Sequence, residues 1–241
     1  MAIEISDSRT DATRPFLITF SGIDGAGKTT QIERLSSCLE RRSFKVLRLS
    51  FWDHVAVWSR IRAGVGRRSS DGDVQEEGNG FVPKNNKHVR KWYLSTARSA
   101  LYLLDVARLR HLFESTRIRT FDVVIFDRYI YDQIANIYSR SAASRIYGKI
   151  LLHRAPVPDL AFILDASPSA AFARKPEYPL EFVCENRQNF LQLRELAPQL
   201  ITIPDADAQT VSQEIREHLN RSRLARTNSL REKPKGYSKP L

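Results

Sequence analysis

One short segment of the sequence has the residue types needed to bind a chain of phosphates. Residues 22–29 read Gly-Ile-Asp-Gly-Ala-Gly-Lys-Thr, which matches the pattern G-x-x-x-x-G-K-[ST] at every fixed position. Glycines allow the backbone to curl so that successive N–H groups point at phosphate oxygens. The alternative, a chance glycine-rich turn, is disfavoured because the segment also lies between an expected strand and an expected helix.

The charged and hydroxyl groups of this segment indicate how a nucleotide would be held. The Lys28 ammonium is expected to reach the β- and γ-phosphates, and the Thr29 hydroxyl is expected to bind Mg²⁺. The helix that follows adds its free N–H groups and the positive end of its dipole. The residues predicted to bind phosphate are Gly22, Asp24, Gly25, Ala26, Gly27, Lys28, Thr29 and Thr30.

A second pair of charged residues, Asp127 and Arg128, directly follows the apolar run FDVVIF at residues 121–126. A carboxylate at the carboxyl end of a buried strand faces the ligand crevice of an open α/β sheet. Asp127 is therefore predicted to hold Mg²⁺, directly or through water; the alternative is an N-cap of the next helix. The Arg128 guanidinium has the shape to hold a phosphate through two hydrogen bonds.

These residues require a scaffold in which strands and helices alternate. Unbroken apolar runs indicate buried strands, and apolar residues at helical spacing indicate helices between them. The pattern predicts one doubly wound α/β domain over residues 15–222, with a five-stranded parallel sheet and helices on both faces. The stretch 67–86 is predicted to be a flexible loop and residues 1–14 a flexible leader. The predicted strands are 16–20, 44–49, 121–126, 159–164 and 200–203, and the predicted helices are 29–42, 87–116, 131–153 and 210–221.

The composition excludes several classes of protein. The chain has 241 residues, of which 42% are hydrophobic and 27% charged, so wholesale disorder is excluded. Two cysteines exclude a disulfide framework and a cysteine-rich zinc site. No run approaches the roughly 18 apolar residues that a membrane span needs. We therefore expect a cytoplasmic protein without a membrane partner.

The net charge of +11 is unevenly distributed along the chain. Residues 221–241 contain seven Lys or Arg and one Glu, which is more than half of the excess. We predict a disordered basic tail over residues 223–241. It is either a solvated tail without a specific role or a weak electrostatic contact for nucleic acid or an anionic surface. No zinc finger or RNP-type motif supports a dedicated nucleic-acid-binding module.

Four segments together resemble the thymidylate kinase family of P-loop nucleoside monophosphate kinases. They are FSGIDGAGKTT at 20–30, Asp127-Arg128-Tyr129, PDLAFILDASPSAAFAR at 158–174 and IPDADAQTVSQEI at 203–215. The resemblance is discontinuous over about 16–217 and implies a P-loop NTPase fold. It also implies ATP-dependent, Mg²⁺-assisted phosphorylation of a nucleoside monophosphate, dTMP by default. It allows a homodimer formed through helices such as 87–116, for which an ordinary core helix is the alternative.

The resemblance also implies roles for individual residues. Lys28, Arg128, Arg174 and Asp127 are the implied catalytic residues, with Thr29 and Asp127 at Mg²⁺. Asp24, Arg108 and Arg128 are the implied acceptor-binding residues. A lid is implied over about 173–187, and Arg174 would supply the cation for the transferring phosphoryl group because the phosphate loop has no Arg or Lys before Lys28. The alternative for Arg174 is a cation at a helix C-terminus.

Several positions depart from the family's pattern. Residues 49–54 read LSFWDH where the family has Arg-Glu-Pro-Gly-Gly, and only Asp53 could replace the acidic residue at the acceptor. Leu104 replaces a Phe that stacks on thymine, and Asp132 begins the changed base-contacting pattern Asp132, Ala135, Asn136, Ile137. Two enzymatic alternatives are therefore open: a strict thymidylate kinase, or a related enzyme for another nucleotide or small phosphorylated acceptor. A non-catalytic regulatory nucleotide-binding protein or GTPase-type switch is less favoured, because Asn-Lys-x-Asp is missing.

Overall fold

A computed structural model describes residues 14–56, 91–137 and 141–224. Its centre is one sheet in which every neighbouring pair of strands is parallel, in the order β2-β3-β1-β4-β5. The predicted five-stranded parallel sheet is thus confirmed. The strands are β1 (Phe16–Ser21), β2 (Val46–Ser50), β3 (Val123–Asp127), β4 (Leu160–Leu164) and β5 (Leu200–Ile203).

Helices connect the strands and cover the sheet. Among the described residues, no helix is long and apolar enough to cross a bilayer. The α-helices are α1 (Lys28–Arg41), α2 (Phe51–His54), α3 (Lys91–Glu114), α4 (Ile130–Ile137), α5 (Ala142–Arg154), α6 (Pro168–Arg174), α7 (Leu180–Gln192) and α8 (Ala208–Arg221). Short 3-10 helices lie at Ile118–Thr120 and Leu193–Glu195.

Two predicted elements differ from the structure. The single helix predicted over 131–153 is wrong: α4 ends at Ile137, and α5 starts afresh after Ser141, whose side chain caps it by accepting the N–H of Ser144. The second strand begins at Val46 rather than at 44. Ser43 has a positive φ of 62°, and the Phe44 N–H donates to the carbonyl of Leu39, so Phe44 belongs to the turn that ends α1. The predicted loop 67–86 and the predicted helical residues 87–90 lie outside the described residues.

The sheet separates two apolar clusters, as a doubly wound fold requires. Side chains alternate along β1, so that Leu17 enters one cluster and Ile18 enters the other. Helices α1 and α8 cover the second face through residues such as Leu35 and Ile215. Helices α3, α4, α5 and α7 contribute to the first cluster. All strands of the sheet are therefore held between helical layers, and the loops at their carboxyl ends sit on a rigid base.

One carboxylate, Asp159, binds both ends of the described domain. It accepts the backbone N–H of Leu17 at 2.8 Å and receives Arg14 at 3.0 and 3.1 Å. Arg223 donates to it at 2.8 and 3.1 Å, and the Arg223 guanidinium also lies 5.4 Å from the ring centroid of Phe16. The packed domain therefore includes Arg14 of the predicted leader and Arg223 of the predicted basic tail. Leu224 is buried as well. The remainder of the predicted basic tail lies outside the described residues.

Replacement of Asp159 by Ala should lower the free energy of unfolding by about 2–3 kcal/mol, because it orphans a backbone N–H and two guanidinium groups. Urea denaturation monitored by circular dichroism measures the loss. Glu114→Gln is the control: the Arg110–Glu114 pair is 60% exposed on both sides, and its loss should change stability by less than about 1 kcal/mol. Equal effects of the two substitutions would show that Asp159 does not bind the ends together.

Candidate active site

The candidate site lies at the carboxyl edge of the sheet, where the chain reverses its direction of winding. Strand β1 lies between β3 and β4, so the segments after these three strands meet at one edge. This arrangement forms the crevice in which open α/β sheets bind ligands. The phosphate loop follows β1, Arg128 follows β3, and Asp165 follows β4.

The glycines of the phosphate loop are required by backbone conformation and by space. Gly22, Gly25 and Gly27 have φ values of 134°, 82° and 83°, which L-residues with side chains rarely adopt. A Cβ on Gly22 would lie 2.5 Å from the carbonyl oxygen of Leu164, and one on Gly25 would lie 2.4 Å from that of Ala171. The loop therefore packs against the end of β4 and against α6.

Lys28 is buried under this loop, with 7% of the residue exposed. Its Nζ donates to the carbonyl oxygens of Gly22 and Ile23, both at 2.8 Å. Burial, and next the charge of Arg128, lower the pKa of Lys28 to about 8. Three carboxylates oppose this shift in pKa; they belong to Asp132, Asp24 and Asp127.

Arg128 joins the phosphate loop to helix α4. Its backbone has a positive φ of 64°, which is uncommon for a residue other than glycine. One terminal nitrogen, Nη2, donates to Asp24 Oδ1, and the other, Nη1, donates to Asp132 Oδ1 at 3.1 Å. Asp132 Oδ2 accepts the Ser21 hydroxyl at 2.7 Å and the Tyr129 N–H at 3.0 Å. Sequence reasoning assigned no role to Asp132, which lies in the first turn of α4, four residues after Arg128.

Asp127 ends β3 with a carboxylate that makes no hydrogen bond within the described residues. Burial raises the pKa of this carboxyl above its ordinary value, although Lys28 and Arg128 oppose the shift. A carboxylate without hydrogen-bond donors and the hydroxyl of Thr29 are the oxygen ligands that Mg²⁺ accepts, usually with phosphates and water completing its shell. Over the same residues, no group of three or more His, Cys, Asp or Glu forms a metal cage. These two residues fit a magnesium ion carried by a nucleotide.

The predicted lid residues lie where α6 ends and α7 begins. Arg174 is exposed, and its Nε donates to the carbonyl of Ala170 at 3.1 Å within the same helix. It lies one turn beyond Ala171, the residue that contacts the phosphate loop at Gly25. Helix α7 is tied to the sheet edge by Arg187, which holds Asp165 through bonds of 2.6 and 2.7 Å. Sequence reasoning did not identify this pair, although it placed Arg187 at the end of the lid.

The structure joins only part of the predicted set. Asp24, Lys28, Asp127 and Arg128 meet in one cluster of interacting charges. By contrast, the described contacts link none of Asp53, Arg108 and Arg174 to that cluster. Asp53 is exposed on α2, and Arg108 is half-buried on α3, one turn after Leu104, which is 53% exposed.

Comparisons with known proteins give several relatives that are named thymidylate kinase or probable thymidylate kinase. The chain is 26% identical to the probable thymidylate kinase of Methanosphaera stadtmanae, over 84% of this chain and 96% of the relative. It is 25% identical to that of Archaeoglobus fulgidus, over 83% of this chain and 93% of the relative. It is 32% identical to the thymidylate kinase of Xanthomonas oryzae pv. oryzae, over 66% of this chain and 59% of the relative. No family model matches the chain.

A solved structure supports the fold independently. The crystal structure of thymidylate kinase from Ehrlichia chaffeensis matches with a TM-score of 0.54 and 18% identity, over 86% of this chain and 99% of that chain. At this identity the match establishes the fold and not the activity. The resemblance predicted from the sequence is thus confirmed by sequence relatives, and the predicted fold is confirmed by structure.

The affinity of the site for a triphosphate should fall as the pH rises above about 8, because Lys28 loses its proton there in the free protein. Phosphates favour the charged ammonium, so Lys28 must take up a proton when a triphosphate binds above this pH. The affinity should therefore fall by up to about tenfold per pH unit. Calorimetry with ATP and EDTA in two buffers of different ionisation enthalpy measures the uptake. Lys28→Ala should bind more weakly and show no uptake in this range. Proton-independent binding by the unaltered protein at pH 9 would contradict the assignment.

Proposed function

Because the chain resembles the thymidylate kinase family, we propose that it is a nucleoside monophosphate kinase that uses ATP. An oxygen of the acceptor phosphate attacks the γ-phosphorus, and the bond from that phosphorus to the β–γ bridging oxygen breaks, so that ADP leaves. The observation that carries this proposal is the meeting of Lys28 and Arg128 at one sheet edge. The first cation is suited to the donor phosphates, and the second to the acceptor phosphate.

Each group at the edge has a part in this reaction. The amides of the loop and Lys28 would hold the β- and γ-phosphates, and Thr29 and Asp127 would hold Mg²⁺. When bound, this ion would supply positive charge to the transferring group. Arg174 would approach from the lid as a further cation. Because little covalent chemistry is asked of the protein, positioning and charge stabilisation supply most of the catalysis.

The acceptor is proposed to be dTMP, by the names of the relatives. The exposed Leu104 offers no aromatic face for a base, and a lost stacking contact costs about 1–3 kcal/mol. Another nucleoside monophosphate or small phosphorylated acceptor is therefore the second candidate. A cytoplasmic location, a homodimer and a nucleic-acid contact of the basic tail stay predictions from the sequence.

A panel of nucleoside monophosphates with ATP and Mg²⁺, analysed for ADP release and for the diphosphate product, tests the proposal. We expect phosphoryl transfer to dTMP. Transfer only to another acceptor would favour the second candidate, whereas nucleotide binding without any transfer would favour a regulatory protein. Lys28→Ala purified in the same way is the control that shows whether a contaminating kinase causes the phosphorylation.

Lys28→Ala should lower kcat by more than it raises the KM for ATP, because its charge matters most as charge moves in the transition state. The lost charged contact is worth roughly 1.5–3 kcal/mol to nucleotide binding. Glu114→Gln, which removes a charge from the surface of α3, should leave both constants unchanged. Unchanged turnover in Lys28→Ala would refute the assignment of the phosphate loop.

Arg128→Ala should raise the KM of the acceptor and leave the KM for ATP nearly unchanged, because its guanidinium is assigned to the acceptor phosphate. Initial rates with each substrate varied in turn measure the two constants. A parallel rise in both would show that Arg128 supports the loop as a whole.

A further inference from the structure

Arg128 meets two carboxylates before any ligand arrives, and they are held very differently. Asp132 is buried, with 2% of its side chain exposed, whereas the Asp24 side chain is 25% exposed. Asp132 accepts hydrogen bonds from Ser21 and Tyr129 in addition to Arg128. Asp24 lies on the phosphate loop, and Arg128 is its one side-chain partner within the described residues.

We propose that Asp132 is a positioning residue that holds the Arg128 guanidinium toward the acceptor phosphate, and that Asp24 is the partner this phosphate displaces. The inference rests on the proposed function. A guanidinium offers donors on both terminal nitrogens. Asp132 occupies Nη1, which leaves Nη2 to exchange Asp24 for a phosphate oxygen. The exchange replaces one anion with another, so Arg128 is never left buried without a counter-charge.

The net charge of the site also distinguishes Asp132 from Asp24. Lys28 and Arg128 face the three carboxylates of Asp24, Asp127 and Asp132, so the free site carries one more negative than positive charge. Movement of a carboxylate away from Arg128 would lower the repulsion that an incoming phosphate meets from these side chains. Asp24 can move away because it is on a glycine-flanked loop, whereas Asp132 is fixed by Ser21 of β1 and by the start of α4.

The substitution Asp132→Asn should remove the contact with Arg128 and keep the contacts that support the fold. The two bonds from Ser21 and Tyr129 both end on Oδ2, and the bond from Arg128 ends on Oδ1. An asparagine can keep its single carbonyl oxygen where the first two donors need it. Its amide NH₂ then faces Nη1, and two donors do not bond. The variant therefore releases Nη1 of Arg128 and keeps the local structure.

The kinetic test follows both substrates in Asp132→Asn. We expect the acceptor KM to rise roughly tenfold or more, as for a lost charged hydrogen bond, with the KM for ATP unchanged. In an Arg128→Ala background, Asp132→Asn should raise the acceptor KM no further. Asp159→Ala is the structural control, since it should lower the urea midpoint without changing the acceptor KM. Additive effects in the double variant, or a parallel rise in both KM values, would overturn the proposal.

A second measurement needs neither a substrate nor activity. NMR of ¹⁵N-arginine-labelled, ligand-free protein reports whether rotation of the Arg128 guanidinium is restrained. We expect restraint in the unaltered protein, in Asp159→Ala and in Asp24→Asn. Restraint should be weaker in Asp132→Asn, where Asp24 still accepts from Nη2, and lost in the double variant Asp24→Asn, Asp132→Asn. Release by Asp24→Asn would overturn the proposal even if Asp132→Asn fails to fold. If no monophosphate is phosphorylated, the proposed function fails, and this comparison still decides which carboxylate holds Arg128.

Discussion

The site depends on oxygen acceptors that compensate two cations for the loss of contact with water. Lys28 is 7% exposed, and the Arg128 side chain is 22% exposed. Burial of a charge without a partner costs several kcal/mol, so cations in such places require carboxylates or oxygen acceptors around them. The loop carbonyls provide these for Lys28, and two aspartates provide them for Arg128. Under the proposed function, a phosphate ligand would bind these cations by replacing partners that are already in place.

Local features of the site could be predicted from the sequence, whereas contacts between distant residues could not. Gly22 and Gly25 are specified by a loop that curls within a few residues, and this pattern is visible in the sequence. The pairing of Asp159 with Arg14 spans 145 residues and depends on how strands stack into the sheet. Asp132 was missed for a related reason: its importance arises only once β1 and β3 lie side by side and bring Ser21 to it.

The residues that match the family's phosphate-binding pattern and those that depart from its base-contacting pattern lie on different parts of the fold. The cluster that would handle phosphates comes from turns directly after β1 and β3, where backbone geometry allows few residue types. Two of the positions that depart from the family's base-contacting pattern, Leu104 on α3 and Asn136 on α4, are exposed on helices. A helix surface can exchange side chains without altering its backbone. Specificity for the acceptor can therefore change while the phosphate chemistry is retained.

The backbone at Arg128 shows how the fold keeps that side chain in place. Its N–H donates to the carbonyl of Phe20, which extends the contact between β3 and β1, and its φ of 64° then turns the chain sharply. Such a conformation costs on the order of 1–3 kcal/mol in a residue with a side chain. Tyr129 offsets this cost, since its ring is fully buried and its hydroxyl donates to the carbonyl of Pro156 at 2.6 Å. The aromatic residue after Arg128 thus holds the turn that aims the guanidinium, while Asp132 restrains its far end, so the two act on the same side chain from opposite ends.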